Sequence, residues 1–221
     1  VNNLINKGVD GLIIVPCEHS EQSIASLVEN RVPVVLFDRY FPSIPTSYVV
    51  LDNYGATYSA TKWLLDSGCQ APSIVAYNIH LNHMEERVRG YKEAMADNGK
   101  AEYTQVLYID QANPKESADV LIPRSIKKGC DAFIFTTNII SLTGLYALKK
   151  MNPKTTSRLK LVGFDGTPAF DFFSTPLSYI QQPVDLFVRK ALQIVVDNVS
   201  LEHRDNLQQI TLEGEFKQSL P

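Results

Sequence analysis

Several features that mark whole classes of proteins are scarce or absent in this sequence of 221 residues. No uninterrupted apolar run approaches the roughly 18 residues of a membrane-spanning helix, and the first residues do not resemble a signal peptide. Only three cysteines occur, at Cys17, Cys69 and Cys130, too widely spaced for a zinc-binding CxxC pair. Lysine and arginine number 21 against 24 acidic residues, which argues against a broad nucleic-acid-binding surface in this segment. These absences favour a globular protein of a reducing compartment that does not cross a membrane.

The short motifs of common α/β enzymes are absent as well. GxSxG, GxxxxGK(S/T) and GxGxxG do not occur. His80, His83 and Glu85 could together bind a metal, but their spacing is not HExxH, and a solvated loop before a helix is the favoured interpretation. Nothing in the sequence singles out a nucleophile beside a base. We therefore predict that the protein is not an enzyme and that it needs no cofactor and no metal.

The pattern that is present is an alternation of short buried β-runs with amphipathic helical stretches of roughly 10 to 14 residues. The clearest β-runs are GLIIVP (11–16), VPVVLF (32–37), YVVL (48–51), SIVAY (73–77), AFIFT (132–136) and LKLVGF (159–164). This alternation predicts an α/β fold with parallel sheets and right-handed βαβ units, rather than a sandwich or a helix bundle.

Polar side chains follow most of these β-runs. Asp38 and Arg39 come directly after the second run, and Asp165 follows the last one at a Gly-rich turn. In an open α/β sheet, ligands bind outside the carboxyl ends of the strands, so these side chains are placed to meet a ligand. Any single one of them is equally well explained as an ordinary polar turn residue. As a set they suit a small, densely polar ligand, with aromatic residues available to cover an apolar ring face: Tyr40, Phe41, Tyr77, Phe164 and Phe170.

The order of several segments indicates the fold and the function more specifically than any single residue does. They are VDGLIIVP, VPVVLFDR, VVLDNYGA, RVRGYKEAM, DAFIFTTN, LVGFDGTPAF and PLSYIQQP. In this order and at these intervals the chain resembles the effector-binding domain of the lactose-repressor (LacI/GalR) family. It is similar also to the periplasmic sugar-binding proteins that share that fold.

That resemblance implies an α/β protein of the type I periplasmic-binding-protein architecture, with two Rossmann-like lobes that are joined by three crossovers. Each lobe would contain a parallel sheet, and the ligand would lie in the cleft between them. The N-terminal lobe would comprise residues 1–52 and 184–206, lacking its first strand and helix. The C-terminal lobe would comprise residues 53–183 and 207–221.

The resemblance also implies which residues bind the ligand. They are Asp38, Arg39, Arg87, Asn138, Asp165, Gln182 and Gln111. Arg87 matches the arginine of R-x-x-G-(F/Y/W), whose bidentate donors hold ligand oxygens. Gln111 stands where relatives often place a stacking aromatic, and Ile139 stands where they usually carry a second acid. We expect Arg87→Ala and Asp165→Ala to abolish stabilisation by ligand and to leave the melting temperature of the ligand-free protein nearly unchanged.

Two functions are compatible with the resemblance. The segment TPLSYIQQP (175–183) is similar to the P-x-L-(S/T)-x-I-x-Q-P stretch of the regulators, whereas GFDGTP is closer to ribose-type receptors. The favoured function is a cytoplasmic, homodimeric transcriptional repressor that binds a sugar-like effector and operator DNA, the DNA through a domain upstream of this segment. Lobe closure would then alter operator affinity, and the helical stretches 20–30 and 185–198 are candidates for the subunit face. The alternative is a periplasmic sugar-binding receptor of a transport system.

Overall fold

The computed structural model describes residues 2–5, 7–173, 175–199 and 206–219. Its strands, in chain order, are β1 (Leu12–Ile14), β2 (Val34–Phe37), β3 (Ser47–Leu51), β4 (Pro72–Tyr77), β5 (Gln105–Ile109), β6 (Ala132–Phe135), β7 (Lys160–Phe164), β8 (Ser178–Gln181), β9 (Gln209–Leu212) and β10 (Glu215–Lys217). Its α-helices are α1 (Asn2–Ile5), α2 (Glu21–Glu29), α3 (Asn53–Asp66), α4 (Asn82–Asp97), α5 (Pro114–Lys127), α6 (Asn138–Lys149), α7 (Pro153–Thr156) and α8 (Val184–Val199). The predicted α/β alternation is therefore present.

The chain divides into two compact units. Unit 1 comprises Val1–Asp52, His80–His83 and Pro183–Glu213, and unit 2 comprises Asn53–Ile79, Met84–Gln182 and Gly214–Pro221. Residues 80–83, Pro183 and the tail differ from the division proposed from the sequence, which placed 53–183 and everything from Leu207 onward in the second lobe. Residues 209–212 belong to unit 1 because β9 pairs with β3, from Tyr48 opposite Gln209 to Leu51 opposite Leu212. Residues 1, 6, 174, 200–205 and 220–221 of the proposed lobes lie outside the described part of the chain.

Unit 1 is built on a parallel sheet with the strand order β1-β2-β3-β9. The sequence favours this arrangement because β-branched and leucine side chains fill β2, where Val34, Val35 and Leu36 are all buried. Helix α8 packs against this sheet through one face, and the ring of Phe187 meets that of Phe37 edge-on at 5.7 Å. The carboxyl end of β2 is thereby held on a rigid, apolar base.

Unit 2 is built on a larger sheet with the strand order β10-β8-β7-β6-β4-β5. Its pairings are parallel except that of β10, which runs antiparallel to β8. The strand β10 was not predicted, because three residues are too few for a periodic pattern. Phe216 of β10 packs on Trp63 at 5.0 Å, so this edge strand is fixed by a contact distant in sequence.

The core of unit 2 explains why the carboxyl ends of its central strands are well defined. Phe133, Phe135, Val162 and Phe164 have no exposed surface. Burying side chains of this size stabilises a fold by about 1.5–3 kcal/mol each, relative to leaving them exposed. The residues that follow β6 and β7 are therefore carried by strands whose large apolar side chains are fully buried.

The cysteines are unpaired in the structure. Cys69 and Cys130 are buried in unit 2, and Cys17 in unit 1 is exposed. Burial raises the pKa of the Cys69 thiol to about 11, and it also raises the pKa of Cys130. The two buried thiols are thus protonated near neutral pH, which makes them poor nucleophiles.

Among the described residues, no helix is both long and apolar enough to cross a membrane.

Candidate ligand-binding site

In unit 1, Asp38 and Arg39 follow β2, where the sequence placed them. Arg39 donates from Nε and Nη2 to Asp38 Oδ2, at 3.0 and 2.9 Å, and both side chains are about a quarter exposed at 26% and 22%. Asp38 has a φ of 68°, which is the left-handed region that non-glycine residues seldom adopt. Its backbone N–H donates to Val49 O of the adjacent strand at 3.1 Å. The turn therefore presents a carboxylate at the carboxyl end of β2, where it forms an ion pair with Arg39.

In unit 2, Asp165 occupies a turn of the same kind after β7. Its φ is 59°, and its backbone N–H donates to Ile180 O of the adjacent strand β8 at 2.9 Å. Gln182 Nε2 donates to both carboxylate oxygens of Asp165, at 3.0 and 2.9 Å. Each turn residue is the second member of a Phe-Asp pair, Phe37-Asp38 or Phe164-Asp165, so the correspondence is also visible in the sequence. Strained backbone that recurs at strand ends is typical of ligand-binding positions.

Arg87 lies on α4 and is only 3% exposed. Its Nε donates to Asn53 Oδ1 at 2.7 Å, its Nη1 donates to the carbonyl oxygen of Thr136, and Cζ lies 3.8 Å from the centre of the Phe164 ring. The guanidinium thus joins the start of α3 to the ends of β6 and β7. Because the side chain is buried and hydrogen-bonded, we expect its removal to lower the stability of the ligand-free protein. The expectation from the sequence was a nearly unchanged melting temperature. Asn53 and Thr136 were absent from the predicted site, because only the three-dimensional structure brings them to Arg87.

Asn138 and Gln111 are both exposed, in different settings. Asn138 is the first residue of α6, whose amino terminus is capped by Thr137 Oγ1 accepting from Ile140 N at 3.1 Å. Gln182, Asp165 and Asn138 therefore follow three adjacent strands, β8, β7 and β6. Gln111 instead follows β5 at the edge of the sheet. Gln182, Asp165 and Asn138 therefore lie at the ends of neighbouring strands, whereas Gln111 lies at the end of an outer strand.

The aromatic residues differ in their availability. Phe41, Phe164 and Phe170 are buried within their own units, at 5%, 0% and 9% exposure, so most of each ring is already covered by protein. Tyr40 and Tyr77 remain partly exposed. The Tyr40 ring stacks on Tyr48 at 4.1 Å, and burial together with Tyr40 raises the pKa of Tyr48. Of the five aromatic residues expected from the sequence to cover a ligand ring, chiefly Tyr40 and Tyr77 have exposed surface that a ligand could contact.

The possible metal cluster does not form a recognisable site. His80 lies in the loop after β4, whereas His83 is buried within α4. Within the described ranges, no group of three or more histidine, cysteine, aspartate or glutamate side chains is arranged to hold a metal ion.

Comparisons with known proteins agree with this architecture. The model of the family described as "Periplasmic binding protein domain" matches residues 1–170. The HTH-type transcriptional repressor PurR of Aliivibrio fischeri is 24% identical over 201 residues, covering 89% of this chain and 59% of the repressor. The chain therefore spans about three fifths of the length of that relative.

Solved structures show the same fold. A LacI family transcriptional regulator from Enterococcus faecium with bound ribose has a TM-score of 0.83 at 17% identity, covering 99% of this chain and 81% of that one. The Cra transcriptional dual regulator from Pseudomonas putida, in complex with fructose 1-phosphate, has a TM-score of 0.83 at 20% identity, covering 100% and 82%. Since the family model matches most of its residues, this chain belongs to the periplasmic binding protein domain family, and it is related to transcriptional regulators of the LacI type.

Proposed function

We propose that this chain is the effector-binding part of a bacterial transcriptional repressor of the LacI type. It binds a small sugar-like molecule with residues from both units and converts that binding into a change of operator affinity through a DNA-binding domain outside this segment. The repressor acts in the cytoplasm, where its operator DNA lies, and the proposal assigns no catalytic step to any residue.

The observation that carries the proposal is the similarity to transcriptional regulators along nearly the whole chain. The PurR repressor of Aliivibrio fischeri is 24% identical to this chain, and the two regulators described above, each with a TM-score of 0.83, hold ribose and fructose 1-phosphate. This favours the regulator over the transport receptor, which remained open from the sequence alone.

The chemistry of the two aspartate turns supports a polyhydroxylated ligand. A carboxylate can accept hydrogen bonds from two neighbouring hydroxyl groups, and an amide such as that of Asn138 both donates and accepts. Asp38 in unit 1 and Asp165 in unit 2 each follow the carboxyl end of a strand, and each has a backbone in the left-handed region. The proposed ligand-binding residues are Asp38, Arg39, Arg87, Asn138, Asp165 and Gln182, with Gln111 as a marginal member.

Regulation requires that the ligand favour one arrangement of the two units over another. A ligand can shift that equilibrium only by the difference in its affinity for the two arrangements. A coupling of about 1–3 kcal/mol would change operator affinity roughly 5- to 150-fold.

Full-length protein with its DNA-binding domain tests the proposal. A library of neutral sugars and nucleosides is screened by thermal shift, and the operator is isolated by selection from random-sequence DNA. We expect at least one compound to raise the melting temperature and to change operator affinity by roughly 5- to 150-fold. Asp165→Asn should abolish the thermal shift because it removes a charged acceptor, whereas Asp66→Asn, an exposed acid paired with Lys62, should retain it. Unchanged operator affinity across the whole library would contradict the proposal.

A homodimer is part of the same proposal. Helix α8 leaves the side chains of Val188, Leu192 and Val196 exposed at 42%, 50% and 65%, in one stripe with a spacing of four residues. An apolar stripe of this kind is typical of a surface that another chain covers. We expect sedimentation equilibrium of the full-length protein to give a dimer and Leu192→Glu to shift it toward monomer. A dimer unaffected by that substitution would place the subunit contact elsewhere.

A further inference from the structure

Unit 1 contains a cavity at the end of its sheet that lies away from Asp38 and Arg39. Its volume is about 370 Å³, within the range of roughly 300–1,000 Å³ that is usual for small-molecule sites. Its described lining residues all belong to unit 1, and they include Val34 and Ser47, the first residues of β2 and β3. From Val34 to Asp38 the chain advances by about 13 Å along β2. The cavity is therefore distinct from the ligand-binding site proposed at the carboxyl ends of the strands.

Two residues of the cavity wall carry a buried polar atom with no hydrogen-bond partner among the described residues. The atoms are the hydroxyl oxygen of Thr46, just before β3, and the amide oxygen of Asn198, near the end of α8. The two residues are only 3% and 7% exposed. Leaving buried polar atoms unpaired is unfavourable, and nearly all of them in folded proteins have a partner. The Asn198 oxygen can only accept, so a molecule that occupies the cavity would need a hydroxyl or N–H group to bond to it.

Arg31 supplies the charge of the cavity wall. The described lining residues include no acid and no other basic residue. Arg31 is exposed, and ion pairs within the described ranges engage Arg39 and Arg89 but not Arg31. Its φ of 56° lies in the left-handed region just after α2, where glycine is the usual residue. An arginine held in such a conformation at a cavity is a candidate for binding an anionic group, because its planar fork of donors fits a carboxylate.

The end of helix α2 does not need the guanidinium of Arg31. Backbone N–H groups already donate to its last carbonyl oxygens: Asn30 to Ser26 at 3.1 Å, Arg31 to Val28 at 2.9 Å and Val32 to Leu27 at 3.0 Å. These bonds also fix the backbone of Arg31. The side chain is therefore held at the cavity by its backbone while its five donors stay available to a ligand.

We infer that this cavity is a second small-molecule site, which binds a monocarboxylate that has an apolar body and a hydroxyl or amide N–H donor. The carboxylate accepts hydrogen bonds from the guanidinium of Arg31, and the donor bonds to the amide oxygen of Asn198. N-acylated apolar amino acids have all three parts. The apolar body packs against Val28, Val32, Pro33, Pro45 and Leu207.

Isothermal titration calorimetry of the full-length protein tests the inference. The probes are N-acetyl-L-leucine, N-acetyl-L-phenylalanine and 4-hydroxyphenylacetate, each compared with its primary amide, which is neutral and of nearly the same shape. At least one carboxylate should bind at one site per chain. Its amide should bind at least ~10-fold more weakly, because hydrogen bonds to a charged group are the stronger ones.

Replacing Arg31 locates the binding. Arg31→Asn removes the guanidinium and introduces a residue that tolerates the left-handed region, so the fold should be retained. It should weaken binding of the carboxylate by roughly 10- to 100-fold. The control is Arg158→Asn, which alters an exposed arginine of unit 2 and should leave the affinity unchanged.

Thr46→Val separates a ligand site from a cavity filled by ordered water. Without ligand, this variant should raise the melting temperature by about 2–4 °C, because it removes a buried hydroxyl that has no partner. It should also weaken binding of the carboxylate several-fold. The control is Thr61→Val, whose hydroxyl donates to Thr57 O at 2.7 Å, so its loss should not raise the melting temperature. An unchanged or lower melting temperature for Thr46→Val would mean that water already satisfies this hydroxyl, and it would overturn the inference.

Two further outcomes would overturn the inference. Binding that is lost in Asp165→Asn but kept in Arg31→Asn would place the carboxylate at the site proposed for the sugar. Failure of all three carboxylates to bind would leave the cavity without a ligand of the inferred class. Neither outcome bears on the proposed regulator, whose own test is the response of operator affinity to sugars and nucleosides.

Discussion

Replacing Arg87 with methionine is expected to lower the free energy of unfolding by about 3 kcal/mol, even without ligand. The side chain is 3% exposed and donates to Asn53 Oδ1 and to the carbonyl oxygen of Thr136. Methionine has a similar length but no donor, so both buried oxygens lose a charged partner. The loss of that donor costs about 1–3 kcal/mol for each oxygen. The contact of the guanidinium with the Phe164 ring is lost as well.

Urea denaturation followed by circular dichroism measures this effect, and Arg89→Met is the matched control. Arg89 lies on the same helix but is half exposed, with its guanidinium paired to Glu86 and Glu93. Exposed ion pairs of this kind contribute less than about 1 kcal/mol. Equal losses for the two variants would contradict a structural role for Arg87. A stable Arg87→Met protein that has lost only its response to ligand would instead restore the expectation drawn from the sequence.

Arg87 illustrates what a sequence pattern can and cannot predict. The spacing R-x-x-G-Y identifies the residue as one of a family set, and that identification needs no structure. Its partners Asn53 and Thr136 lie 34 and 49 residues away in sequence, so no local pattern reveals them. Burial depends on such distant contacts, and it decides whether a substitution affects binding alone or stability as well.

The same distinction applies to the fold. The alternation of β-runs and helices was predicted because each run is a local periodicity of side chains. The pairing of β9 with β3 in unit 1 was not predicted, because two strands separated by a long stretch of chain pair through hydrogen bonds that no periodicity specifies. The bonds from Gln182 to Asp165 were missed for the same reason, although both residues belonged to the predicted site. Gln111 had only a loosely spaced match, and it lies at the sheet edge.

Gly90→Ala is expected to destabilise the protein by about 2–3 kcal/mol, even though alanine is the better helix former. A Cβ atom at Gly90 would lie 2.3 Å from Tyr54 O and 3.1 Å from Tyr58 N, which are backbone atoms of α3. Because backbone atoms cannot rotate away as a side chain can, helices α3 and α4 would have to separate. That strain outweighs the gain of about 1 kcal/mol in helix propensity. The exposed residue Ala96 on the same helix is the control, since Ala96→Gly should cost about 1 kcal/mol from propensity alone.

If Gly90→Ala separates helices α3 and α4, its effect on stability should be coupled to that of Arg87→Met. Arg87 lies three residues before Gly90 on α4 and donates to Asn53, the first residue of α3, so widening the gap stretches that bond. Gly90→Ala and Arg87→Met should therefore be less than additive, because the first substitution already weakens what the second removes. Urea denaturation of both single variants and the double variant measures the coupling. Full additivity, or a Gly90→Ala protein as stable as the unaltered one, would show that Gly90 does not set the helix spacing that positions Arg87.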